Sequence, residues 1–176
     1  MNVKKPLAAV AGILAAALLL AAEGSVGGIR WTVPARWTTA PAKPMRAVTY
    51  VVPAAPGQEA GECGVFFFGK GQGGSVDENL ARWAAQFESG TKPATSARTI
   101  NGLSVHETEI SGTYLAPGGP MMQSQGKKTG WQLVGAIVEA PDGLVFFKCT
   151  GPAATIAGAK KDFEALVKSF SKASKA

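Results

Sequence analysis

The 176-residue sequence predicts an α+β domain in which a mostly antiparallel sheet is flanked by helices, an α/β/α sandwich. Three observations carry that expectation. Two turn signals, Asn101-Gly102 and Pro141-Asp142-Gly143, each lie between strand-like runs and make hairpins. Several runs are apolar at both parities, the pattern of strands covered on both faces. Two further segments carry a single apolar stripe at helical spacing, so helices supply that cover.

In chain order, IRWTV (29–33) reads as a first strand closed by Pro34, and MRAVTYVVP (45–53) as a second, ended by Pro53. PAAPGQEAG is a loop. CGVFFFG (63–69) is apolar on both faces and therefore central in its sheet. A helix follows: Ser75 caps it, Glu78 completes a capping box, and Val76, Leu80, Trp83 and Phe87 form its apolar stripe. ARTI and LSVHETEI pair around Asn101-Gly102. Residues 115–130, LAPGGPMMQSQGKKTG, have no period and read as a long loop. WQLVGAIVEA (131–140) and LVFFKCT (144–150) form a second hairpin in mid-sheet. One last helix begins near Thr155 and aligns Ile156, Phe163, Leu166, Val167 and Phe170.

Residues 1–24 have the layout of a secretory signal peptide: Lys4 and Lys5, an uncharged Ala/Leu run from Leu7 to Ala22, and small residues at Ala22 and Gly24 that place the cut after Gly24. The apolar run is shorter than the ~20 residues a spanning helix needs, so no stable membrane span is expected after cleavage. Residues 25–176 then form one domain, exported to the periplasm or the extracellular space. The net charge of +6 is spread along the chain, densest at Lys160, Lys161, Lys168, Lys172 and Lys175, and calls for no nucleic-acid partner. Cys63 and Cys149 are the only cysteines, and either one disulfide or two buried thiols satisfies the residues themselves. With His106 as the single histidine they do not complete a four-ligand metal site, and no cofactor is called for.

The stretch FFFGKGQGGSVDENLARW (66–83) fits G-x-G-x-x-G at Gly69, Gly71 and Gly74. A dinucleotide turn needs a parallel strand next and an acid about 20 residues on, and here TKPATS leads into an antiparallel hairpin. No Gly-Lys-Ser/Thr closes a phosphate loop either, since Lys70 stands at the start of the turn. A weaker reading survives, in which Lys70, Gly71, Gly73, Gly74, Ser75 and Arg82 present N–H groups and charge to a small anion at a helix N-terminus. His106 is the one catalytic candidate, for a small hydrolase. Its neighbour Glu107 points to the opposite face of a strand, so the two do not pair directly.

The opening IRWTVPARW resembles the strand–Pro–x–x–Trp start of the PsbP-like fold. The runs VFFFGKGQGGSVDENLARWAAQF and GAIVEAPDGLVFFKCTGPAATI resemble a group of exported bacterial proteins of unknown function in or near that fold. The resemblance covers nearly all of residues 25–176 and implies a mostly antiparallel sheet flanked by helices. Cys63 and Cys149 stand where that group carries plain apolar residues, which favours a disulfide particular to this chain. Members named for the fold include an extrinsic photosystem II subunit and a nuclear Ran-binding factor, neither an enzyme, and those activities do not transfer with a fold. The expectation is a non-enzymatic exported binding or accessory protein, its partner an unknown protein or small anionic ligand, met through a sheet face or the 115–130 loop.

Overall fold

The strand-like runs assemble into a seven-stranded sheet that carries a buried core on each face. The computed structural model describes residues 21–88, 91–115 and 126–174. In chain order the elements are β1 (Glu23–Val26), β2 (Ile29–Thr32), β3 (Thr38–Thr39), β4 (Val48–Val52), β5 (Gly61–Phe67), α1 (Val76–Ala84), β6 (Ala94–Ile100), β7 (Leu103–Leu115), β8 (Lys127–Ala140), β9 (Gly143–Pro152), α2 (Ala153–Gly158), α3 (Lys160–Lys168) and β10 (Ser171–Lys172). The large sheet runs β3-β4-β5-β9-β8-β7-β6, and β1-β2-β10 form a small second one. Every pairing is antiparallel.

Because strand side chains alternate, the two faces carry separate cores. One contains Val65, Val105, Ala136, Phe147 and the disulfide-bonded pair Cys63–Cys149, packed under Trp31, Phe163, Leu166 and Phe170. The other contains Ile110, Leu133, Ile137 and Phe146 under Trp83 and Phe87. The first, the α3 face, is thus covered by α2, α3 and the small sheet together. The second, the α1 face, is covered by α1 and the segment after it. The mostly antiparallel sheet agrees with expectation, whereas the flanking layers are only partly helical.

Both hairpins and the capped helix lie where their turn and cap residues put them. Ser75 accepts from the Glu78 N–H and Glu78 accepts from the Ser75 N–H, the reciprocal capping box. Three details depart from the sequence expectation. The final helix is two, because Gly158 is a poor helix former and Ala159 takes φ −94°, ψ −1°; the bend lets Ile156 and Phe163 both reach the core. Residues 127–130 extend β8 instead of belonging to a loop, since Lys127 and Lys128 pair with Leu115 and Tyr114. Short strands at β1, β3 and β10 appear where only neighbouring backbone could specify them. Gly24 lies within β1 against Trp31, where a Cβ would sit 2.3 Å from the indole, so a cut after Gly24 falls inside that strand. Residues 1–20, which hold most of the signal-peptide reading, and 116–125, which hold most of the loop reading, lie outside the described residues.

Candidate functional site

The site follows from one row of residues across the α1 face. Gly64 on β5, Lys148 on β9 and Gly135 on β8 are consecutive register partners, so Lys148 stands between two positions without a side chain. The glycines are needed there: a Cβ on Gly135 would lie 2.3 Å from the Trp83 ring, and one on Gly64 would lie 2.9 Å from the Phe66 ring and 3.2 Å from the Arg46 guanidinium. The result is a furrow with a lysine on its floor, roofed by Trp83 on one side and Arg46 on the other.

Two backbone devices bring the remaining groups in. After α1, the Glu88 N–H donates to the Thr113 carbonyl and the Leu115 N–H to the Gln86 carbonyl, which fastens Gln86 beside Tyr114. Lys148 Nζ donates to Gln86 Oε1 and, at 3.4 Å, to the Tyr114 hydroxyl. Before β4, the Ala47 N–H donates to the Val65 carbonyl and holds Arg46 over β5. Arg46 pairs with Glu62, which also pairs with Lys43, and the Arg46 guanidinium lies 5.3 Å from the centre of the Phe66 ring. Tyr114 stacks on Trp131 at 5.5 Å and 4°, with the Lys128 ammonium 4.2 Å from the Trp131 ring centre.

Two cavities share the wall made by Arg46, Phe66 and Lys148. The larger, about 380 Å³, is also lined by Lys43, Lys128, Glu59 and Glu62. The smaller, about 280 Å³, reaches α1 at Asn79 and Arg82. Among the described residues no carboxylate lies within ion-pair distance of Lys148. Burial, with the Arg46 charge second, pulls its pKa down to about 8, while Glu62 acts in the other direction. Burial and then the Glu62 charge push Tyr114 up to about 12. For Glu62 burial is the largest influence and would raise its pKa, but the hydrogen bonds and charges of Lys43 and Arg46 together outweigh it, and the carboxyl ionises below its usual range.

The residues singled out in the sequence are divided by this geometry. Arg82 lines the smaller cavity and donates at 2.8 Å to Asn79 Oδ1, and Asn79 Nδ2 in turn donates to the Gly73 and Ser75 carbonyls. Gly73, Gly74 and Arg82 line a shallow hollow beside Phe68, which adjoins that cavity. At the helix start the Ser75 and Glu78 N–H groups are already engaged in the capping box, and the Glu78 carboxylate lies over Gly74, 2.9 Å from where a Cβ would be. Lys70 and Gly71 are exposed. His106 hydrogen-bonds Glu139 at 2.7 Å across β7 and β8, on the sheet face opposite to Glu107. No group of three or more His, Cys, Asp or Glu side chains converges among the described residues. No described helix is long and apolar enough to cross a membrane.

Sequence reasoning missed Lys148, Arg46, Gln86, Tyr114 and Trp131. One signal was present: Lys148 interrupts LVFFKCT, a run otherwise apolar on both faces, and a charge in a central strand calls for a reason.

No protein-family model matches the chain, and no curated protein matches it. Among solved structures the chain is similar to the solution structure of cyanobacterial PsbP (CyanoP) from Synechocystis sp. PCC 6803, with a TM-score of 0.55 and 14% identity over 96% of this chain and 100% of that one. At that identity the likeness establishes the PsbP-like fold and nothing about the site.

Proposed function

We propose that the protein is an exported, non-enzymatic binding or accessory protein whose α1 face captures a small anionic ligand at Lys148. The observation that carries this reading is a charged lysine held in a furrow between two glycines, without a carboxylate partner among the described residues, on the wall shared by two cavities. A desolvated charge of that kind costs stability and, with two neutral acceptors and only the more distant Glu62 charge in its favour, returns little of it, which marks a binding position. The PsbP-like fold hints at an accessory or binding role in the same general sense. The Cys63–Cys149 disulfide accords with an oxidising compartment, and thus with export to the periplasm or beyond.

Calorimetric titration of the purified protein with phosphate, sulfate and small carboxylates tests it. Binding is expected at neutral pH and weakens about 10- to 100-fold in Lys148→Met, the value of hydrogen bonds to a charged group. Silence across the panel, or equal affinity in the variant, removes the reading. A second reading places the anion at the glycine loop, with Gly71, Gly73, Gly74 and Ser75 as donors and Lys70 and Arg82 as charges. It is favoured by the hollow that Gly73, Gly74 and Arg82 share with Phe68, and it predicts that Arg82→Gln abolishes binding while Lys148→Met does not.

A further inference from the structure

The smaller cavity has a composition that the larger one lacks. Arg46, Arg82 and Lys148 line it, and no acidic residue among the described ones does; in the larger cavity Glu59 and Glu62 offset the cations. The rest of its wall is largely aromatic, from Phe66, Phe68, Trp83 and Phe146. Phe68 stacks near Phe66 at 6.5 Å and 26°, lies 6.0 Å from Phe146, and is still 40% exposed, so it offers a ring surface at the mouth. At about 280 Å³ the space falls just below the ~300–1,000 Å³ usual for ligand pockets, enough for one ring and a side group and too little for a nucleotide.

Resting on the anion-binding reading above, we propose that this cavity is a site for a single-ring aromatic carboxylate. The ring lies against Phe68 and Phe146, and the carboxylate is directed at Lys148, Arg46 and Arg82. Donor accounting supports the fit. An ammonium has three N–H donors, and Gln86 and Tyr114 take two from Lys148; a guanidinium has five, and among the described residues Arg82 gives one hydrogen bond, to Asn79. The planar fork of an arginine matches a carboxylate in two-point contact. Inorganic phosphate or acetate would leave the aromatic wall wet, and a neutral aromatic would bring no charge to Lys148 and Arg82, since of the three cations only Arg46 has a carboxylate, Glu62, within ion-pair distance among the described residues.

Calorimetry with benzoate, acetate, inorganic phosphate and benzyl alcohol tests the ligand class on the purified protein. Benzoate binds at least about tenfold more tightly than acetate or phosphate, because ring burial adds to the same charge contact. Benzyl alcohol does not bind. Lys148→Met weakens benzoate binding, and so does Arg82→Gln, whose exposed position leaves the melting curve that of the native protein. Acetate or phosphate binding as tightly as benzoate overturns this inference and leaves the anion reading standing. No binding by any anion ends both. Benzyl alcohol matching benzoate, or benzoate binding untouched by both substitutions, also overturns it.

Discussion

Arg98 and Lys148 are cations on opposite faces of one sheet, and the structure treats them differently. On the α3 face Arg98 donates to Glu107 at 2.7 and 3.2 Å and to Glu164 at 2.9 and 2.6 Å, which ties β6, β7 and α3 together. The Glu164 hydrogen bonds, against some burial and together with those of Glu107, push its pKa above its ordinary value. On the α1 face Lys148 has an amide oxygen and a phenol, both neutral, and its pKa falls. One charge is consumed by the fold. The other has no carboxylate within ion-pair distance among the described residues, and the glycines beside it let Trp83, Phe66 and Arg46 close over the backbone on either side.

On the proposed reading the α3 face is structural and the α1 face functional, and substitutions can break that contrast. The largest effect should come from the α3 face: replacing Cys63 and Cys149 by Ala, or reducing their disulfide, lowers unfolding free energy by about 4 kcal/mol in the chain-entropy account, while anion affinity in the folded protein stays unchanged. Denaturant titration with and without reductant measures the first, calorimetry the second. Gly135→Val comes next. Its side chain enters the space of the Trp83 ring and costs about 3 kcal/mol, seen as a lower melting temperature, and it closes the furrow as well.

Arg98→Ala costs about 1 kcal/mol, since both carboxylates it releases remain in contact with water and Glu164 keeps Lys168. Lys148→Met is the informative opposite. It removes a poorly compensated charge and leaves stability at neutral pH unchanged or higher, while anion binding weakens. Chemical denaturation of the two variants side by side checks the comparison directly.

Much of the fold was legible in the sequence because its signals are local. Asn101-Gly102 and Pro141-Asp142-Gly143 needed only their flanking strands, and Ser75 with Glu78 needed only one helical turn. The short strands β1, β3 and β10 have no such signal; Ser171 and Lys172 become a strand only because Arg30 and Ile29 lie beside them. The site was less legible for the same reason. Lys148, Arg46, Gln86 and Tyr114 come from four separated segments, and the furrow exists because Gly64 and Gly135 are in register with Lys148, a relation that no spacing along the chain displays. Arg82 was found with the glycine-loop residues, whereas its neighbour in the cavity, Phe68, was not singled out.

A pH dependence also distinguishes the two cations. A lysine whose folded pKa lies below its unfolded value opposes folding while protonated, so stability rises as pH climbs from about 8 towards the ordinary ~10.4. The groups facing Lys148 are Arg46, Glu62, Tyr114 and Gln86, and of these Tyr114 titrates above that window, with the opposite sign. Melting temperature measured from pH 7.5 to 10 should therefore rise in the native protein relative to Lys148→Met. Anion affinity should fall over the same range as the ammonium loses its proton.

The central claim is that the α1 face binds an anion at the Lys148 furrow, and amide chemical-shift mapping during a benzoate titration of isotope-labelled protein tests it most directly. The account predicts shifts at Gly64, Gln86, Gly135 and Lys148, with Arg98, Glu107 and Glu164 unmoved. Shifts confined to residues 69–75, shifts on the α3 face, or no shifts at all would contradict it.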